Sequence, residues 1–541
     1  MPCFFDPDMR RLPVFIACVL FAPFLFAADQ AVPRPVQAFD IMEYRIDGNT
    51  VLPALAIERA VYPYLGPGRA LGDVEKARAA LEQAYHETGF LTVLVEIPEQ
   101  KIEDGVVVLR AIEGRVERLK VSDNRYYSRG EIRAAAPALA AGEVPYFPEV
   151  QAQLAQLSRT PDRRVTPLLR PGRAPGMVEA ELKVEDALPL HGSLELNNKQ
   201  SPDTSARRLE ASLRYDNLWQ KQHSIGLSYQ TSPLNRDEVE VFTGNYSLPL
   251  GSATLALYAV RSNSDLATAA DSTVIGKGTT WGARLMQPLP GRGAYQHSLS
   301  AGFDVKDFDE TANLLGSDTT SRPIRYIPFG VQYSGFVQGE AAQWQFNVGA
   351  NWALRGLSDR QVDCDGVLVD QFACKRTGAR SNFAVLRGDI QRNQRFGGGW
   401  SLLTRADAQA ASQPLISNEQ FSAGGVDSVR GYLDAERQGD DALRARVELQ
   451  TPVLFSESRL DASLIGFVDW ASLRVQEPLP EQESSFKLGS IGFGLRLKDP
   501  TGLRFSLDVA RALYDGAAAS DGVLRTAKGD TSMHVRFGYD F

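Results

Sequence analysis

A chain of 541 residues, 43% hydrophobic and 23% charged, has the make-up of an ordinary folded protein with room for two or three domains. Its mean hydropathy of −0.22 excludes a polytopic helical membrane protein, in which every span needs about 20 apolar residues. A formal net charge of −8 with a pI near 5.4 argues against a nucleic-acid partner, because phosphate binding calls for clustered Lys and Arg.

Residues 1–28 read as a signal peptide. Arg10 and Arg11 precede the apolar run Leu12 to Phe26, and the small residues Ala27 and Ala28 follow it. The run is short for a membrane anchor, the alternative reading. Beyond Cys3 and Cys18 in this segment, the only cysteines are Cys364 and Cys374, inside the polar stretch DCDGVLVDQFACKR. In an oxidising periplasm they read as a disulfide closing a short loop, against the alternative of two free thiols. A zinc site would need further ligands, and no histidine is near, so no metal is expected.

From residue 39 to 115 helix and strand patterns alternate. IMEYRIDGNTVL is a strand ending in an Asp-Gly-Asn turn. DVEKARAALEQAYHETGF is a helix with Asp73 as its expected N-cap, Ala77, Leu81 and Tyr85 on one face, and Gly89 as its stop. LTVLVEI and GVVVLRAIEG follow as strands. The same order recurs over 116–187: the strand VERLKVSD, a helix behind Ser128, a second helix ending near Pro161, then two strands around a Pro/Gly-rich hairpin. This is an internal repeat of roughly 75 residues.

After residue 188 the helical pattern is gone, and alternating strands run to the last residue. In MHVRFGYDF, Met533, Val535, Phe537, Tyr539 and Phe541 share one face, and His534, Arg536, Gly538 and Asp540 the other. Period two with charges on the second face suits a soluble sandwich or a transmembrane barrel. Charges on the inner face are intolerable in a dry sandwich core. A closed sheet is also the β solution that satisfies every backbone group in lipid. The expected fold is therefore α+β modules followed by an all-β membrane barrel.

The order of signal, two βααββ modules and barrel resembles the outer-membrane transporters of two-partner secretion, the haemolysin and haemagglutinin secretion/activation proteins. The resemblance rests on TGFLTVLVEIPEQKIEDGVVVLRAIEGRV, with Gly89, Pro98, Gln100, Gly105, Glu113 and Gly114, and on LSRTPDRRVTPLLRPGRAPGMVEAELKVED. It rests also on VRGY, Val429-Arg430-Gly431-Tyr432, and on GFVDW with Phe467 and Asp469. It implies POTRA modules at 39–115 and 116–187 and a barrel of about 16 antiparallel strands over 188–541. It implies residence in a Gram-negative outer membrane, with POTRA modules in the periplasm and lipid and the barrel-assembly machinery as partners. It further implies that VRGY tips a loop folded back into the lumen, with Arg430 paired to Asp469 on the wall, and that Phe537, Tyr539 and Phe541 form the C-terminal barrel signature.

The function implied is unfolded export of a large exoprotein, a β-helical adhesin, haemolysin or contact toxin, captured at POTRA strand edges and gated by movement of the VRGY loop. The alternative within the superfamily is an insertase of outer-membrane proteins, which usually carries more modules. The segment DQAVPRPVQAF is too short and Pro-rich for a pore-plugging helix. No cofactor and no catalysis are expected. Five histidines are scattered, no HExxH, GxSxG or phosphate loop occurs, and GFGLRL from Gly492 reads as barrel wall.

Overall fold

The structure, a computed structural model, describes residues 38–541 apart from 265, 266, 270, 271, 275, 276, 315–317, 365, 456–459, 481 and 520. The expected signal peptide and the segment to residue 37 lie outside the described residues. The chain packs as two compact units, one drawn mostly from residues up to 182 and the other dominated by residues from 183 onward.

In the first module Glu43–Asp47 runs parallel to Val106–Glu113, which pairs antiparallel with Val93–Glu96. The helices Ala54–Val61 and Leu71–Thr88 complete it. Val107, Leu109 and Ala111 point inward with the period of two a half-buried strand requires. Ala77, Leu81 and Tyr85, spaced by four on the long helix, meet them in one core. Each large aliphatic side chain buried there stabilises the module by roughly 2 kcal/mol. Tyr85 donates to Asn49 Oδ1 at 2.7 Å, and burial pushes its phenol above the ordinary tyrosine range.

The helix begins one turn differently from expectation. Asp73 is its third residue rather than its N-cap, and its carboxylate accepts the Ala70 N–H at 3.1 Å. A carboxylate in the first turn does the same work there, filling an orphan donor and meeting the positive end of the helix. The helix stops at Gly89, with φ 109°.

The quoted motif residues fasten loops to this sheet. Gln100 imitates a strand neighbour: its Oε1 accepts the Val108 N–H at 2.7 Å and its Nε2 donates to the Val108 carbonyl at 2.8 Å. Glu113 gathers the turn after the first strand, accepting from Thr50 N, the Thr50 hydroxyl, Val51 N and Arg115. The second module repeats the element order, with strand Arg115–Ser122, helices Arg129–Ala134 and Phe147–Leu157, and strands Arg163–Pro171 and Met177–Asp186. In both three-stranded sheets the last strand is central.

The second unit contains a closed antiparallel barrel of 16 strands. They are β1 (Leu190–Asn197), β2 (Arg208–Leu218), β3 (His223–Thr231), β4 (Glu240–Leu250), β5 (Ala253–Ser262), β6 (Gly278–Arg292), β7 (Tyr295–Leu314) and β8 (Asp318–Tyr326 continued by Pro328–Gln338). The circuit continues with β9 (Ala342–Ala353), β10 (Ala384–Arg395), β11 (Ser401–Ala411), β12 (Asp441–Gln450), β13 (Asp461–Arg474), β14 (Ser485–Lys498), β15 (Leu503–Ala512) and β16 (Thr531–Asp540), which pairs back to β1. The outer face exposes an apolar band that includes Leu194, Phe242, Val468, Phe493, Phe537 and Tyr539. A strand of about ten residues crosses the apolar core of a bilayer. At 20 residues β7 overshoots it.

Candidate functional site: a loop inside the barrel

Residues 412–440 connect β11 to β12 and turn back into the barrel. A hairpin, Phe421–Ala423 against Arg437–Gly439, forms the stem, and VRGY lies in the tip. The segment hydrogen-bonds side chains of β7 (Lys306), β10 (Arg387), β11 (Gln409), β12 (Arg446), β13 (Asp469) and β16 (His534). One loop can reach strands so far apart around a ring only from within it.

At the tip, the Arg430 guanidinium and Asp469 form a two-point pair, Nε to Oδ2 at 2.8 Å and Nη2 to Oδ1 at 3.0 Å. The Arg430 backbone N–H also donates to Oδ2. Both side chains are almost wholly buried, 1% and 0% exposed. The geometry is the fork-to-carboxylate match that Arg offers and Lys does not. Phe467, two residues before Asp469 and therefore on the same inward face, lies under the guanidinium with 3.3 Å from ring centroid to Cζ. Gly492 on β14 makes room for that ring; a Cβ there would collide with it.

The pair belongs to a larger cluster. Arg430 Nη1 donates to Glu448 at 2.9 Å and lies 3.8 Å from Asp508. Arg446 shares Asp469, at 2.9 Å from Oδ1, and its Nη2 holds the carbonyl of Ser428 at 2.8 Å. One buried and one partly buried cation, Arg430 and Arg446, thus flank one fully buried carboxylate, with Glu448 and Asp508 close by.

Gly431, with φ 92°, takes a left-handed conformation in which its N–H donates to His534 Nε2 at 2.9 Å. The close approach is what a glycine allows: a Cβ there would stand 3.3 Å from that of Ala510. Tyr432 is 2% exposed. Its hydroxyl lies 2.9 Å from the carbonyls of Gly489 and Tyr514 and accepts from the N–H groups of both residues. Val429 is fully buried in an apolar cluster with Leu473 and Leu488 of the wall.

The stem has its own anchors. Glu419, 1% exposed, meets Lys306 at 2.6 Å and the Tyr326 hydroxyl at 2.8 Å. Asp440, 0% exposed, accepts from both terminal nitrogens of Arg376, from Leu415 N and from Gln476 N. Arg376 lies in the β9–β10 connection, two residues after Cys374, which a disulfide joins to Cys364. Phe372, inside that connection, packs with Tyr326, Phe383, Leu415 and Ile416.

Val429, Arg430, Gly431, Tyr432, Phe467 and Asp469 therefore come together in one place. Phe537, Tyr539 and Phe541 lie on the outer face, and the Phe541 ring covers Gly192 of β1, where a Cβ would strike it. Sequence reasoning missed Arg446, Glu448, Asp508 and His534. Their signal was present, since each is a polar residue at an inward phase of its strand, but phase alone names no partner.

A family model for the haemolysin secretion/activation protein ShlB/FhaC/HecB matches residues 176–497, and one for the ShlB-type POTRA domain matches 39–114. The outer membrane transporter CdiB of Dickeya dadantii (strain 3937) is 24% identical over 439 residues, covering 79% of this chain and 75% of the relative. The heme/hemopexin transporter protein HuxB of Haemophilus influenzae is 21% identical over 469 residues, covering 85% and 80%. In fold the chain is similar to CdiB from Escherichia coli, with a TM-score of 0.64 at 19% identity over 95% of this chain and 92% of that one. The chain belongs to the haemolysin secretion/activation protein family, the outer-membrane transporters of two-partner secretion, with its barrel in the outer membrane and its POTRA modules in the periplasm.

Proposed function

We propose that this transporter captures an extended segment of one secreted exoprotein at a POTRA strand edge, with modules at 39–115 and 116–187, and passes it unfolded through the barrel of 188–541 as the 412–440 loop leaves the lumen. The observation that carries the reading is the way the obstruction is held. The loop crosses the lumen, yet its tip is fixed to the wall by side-chain pairs and packing, which can be released and remade.

Capture by strand addition needs an edge with free backbone groups. In the first module one edge is already taken. Val95 N–H donates to Glu82 and its carbonyl accepts from Arg78, while His86 donates to the Val93 carbonyl at 3.0 Å. That helix face covers Val93–Glu96 and leaves Glu43–Asp47 as the edge this module offers. The partner is a long β-rich exoprotein of the adhesin, haemolysin or contact-toxin kind, and the chain acts on it by transport without catalysis. Insertion of the barrel itself, as for other outer-membrane strands, falls to the barrel-assembly machinery.

Deleting the gene tests the reading against an insertase. The expected result is loss of one exoprotein from the cell surface while other outer-membrane barrels assemble at normal levels. Broad loss of barrels would overturn it.

A further inference from the structure

Among the described residues, the ladder between β1 and β16 is the shortest in the barrel. It has five register pairs, Arg536 with Asn197 to Asp540 with Ser193, against 14 between β13 and β14. β1 ends at Asn197 while β16 extends back to Thr531. After one last backbone bond, from the Asn198 N–H to the Val535 carbonyl at 3.2 Å, a side chain replaces the missing strand. Asn198 Nδ2 donates to the Met533 carbonyl at 2.7 Å, and its Oδ1 accepts the Val535 N–H at 2.7 Å.

Beyond Asn198 the loop tip joins both sides. On the β1 side, Asp427 Oδ2 stands 3.0 Å from Lys199 Nζ, and the Asp434 N–H donates to the Gln200 carbonyl at 2.8 Å. On the β16 side, the other Asp427 oxygen pairs with Arg536. Gly431 meets His534, and Ser532 Oγ donates to the Gly431 carbonyl at 3.2 Å. Lys199 also pairs with Glu210 at 3.2 Å, but Asp427 is the carboxylate paired with both Lys199 and Arg536, so that without it the two cations lose the anion between them.

We propose that the loop tip is the clasp of the barrel seam. Asp427 acts as a positioning residue that bridges Lys199 and Arg536, so that docking of the loop and closure of the β1–β16 seam form one coupled equilibrium. The inference rests on reading the loop as movable, but its test needs no transport. Hydrogen exchange is followed in the purified full chain in detergent micelles, comparing peptides over 190–200 and 530–541 with peptides over β8 and β9, in the wild type and in Asp427→Ala.

The expected result is about tenfold faster exchange at the seam alone, a factor equivalent to ~1.4 kcal/mol. Lys199→Gln, which keeps Arg536 as a partner for Asp427, should give a smaller rise at the same peptides, and it decides the matter if Asp427→Ala does not fold. Heat-modifiable mobility on a gel verifies that the barrel has formed. Unchanged seam exchange in a folded variant, or a rise spread evenly around the barrel, overturns the clasp. Faster seam exchange without added channel openings keeps the clasp and counts against the loop as gate.

Discussion

Removing Arg430 and removing Asp469 should not cost the same, and the difference follows from the third member of the cluster. Breaking a buried ion pair by deleting one partner typically costs about 3–5 kcal/mol, because the other charge is left uncompensated. Arg430→Ala sacrifices two contacts to Asp469, one to Glu448 and the stacking on Phe467. Asp469 nevertheless keeps Arg446 at 2.9 Å, so the loss belongs at the lower end, ~3 kcal/mol. Asp469→Ala leaves the guanidiniums of Arg430, wholly buried, and Arg446, partly buried, side by side, with Glu448 and Asp508 as the remaining carboxylates near Arg430. Its cost belongs at the upper end, about 5 kcal/mol. Denaturant unfolding of the purified barrel in micelles, followed by tryptophan fluorescence, measures both variants and the double variant. The double variant should cost less than the sum of the two by about 2 kcal/mol, since its parts share an interaction. Equal single effects, a milder Asp469→Ala, or strict additivity would refute the electrostatic account.

Three other perturbations probe separate parts of the structure. Tyr432→Phe removes the hydroxyl that serves the backbones of Gly489 and Tyr514, and should lower barrel stability by about 1–2 kcal/mol in the same unfolding assay. Replacing Cys364 and Cys374 together by serine should cost about 2–3 kcal/mol through the freed loop. It should also loosen the Arg376–Asp440 tie, seen as faster hydrogen exchange over 412–440. In the first module, Glu113→Ala leaves the amides of Thr50 and Val51 without their acceptor. Those amides should then exchange faster, with a cost of about 1–3 kcal/mol, while exchange in the barrel stays unchanged.

Much of the barrel was legible because a period of two leaves little choice. Once Met533 to Phe541 alternate apolar and polar, one face meets lipid, and the observed β16 obeys that phase. The Arg430–Asp469 pairing came from resemblance, since nothing local links residues 39 positions apart in sequence. Arg446, Glu448 and His534 converge on the loop only because the sheet closes, and closure is a property of register that no single strand carries. The covered edge of the first module was hidden for a different reason. Arg78, Glu82 and His86, spaced by four, look like an ordinary solvated helix face until that helix is laid along Val93–Glu96. Asp73 was misplaced by three residues because a carboxylate serves equally well as N-cap or in the first turn.

The central claim is that the loop is a movable obstruction and not a fixed part of the wall. A Cβ at Gly431 would stand 3.6 Å from the Cβ of Ser490, within the span of a disulfide, about 3.5–4.5 Å. Gly431→Cys with Ser490→Cys, in a chain whose native cysteines are replaced by serine, therefore pins the tip to β14; the strain of a side chain at φ 92° is common to the oxidised and reduced forms, so the comparison between them isolates the tether. In planar bilayers the oxidised protein should stay closed, and reduction of the same molecules should restore channel openings. Openings at the same frequency and size before and after reduction would contradict the claim.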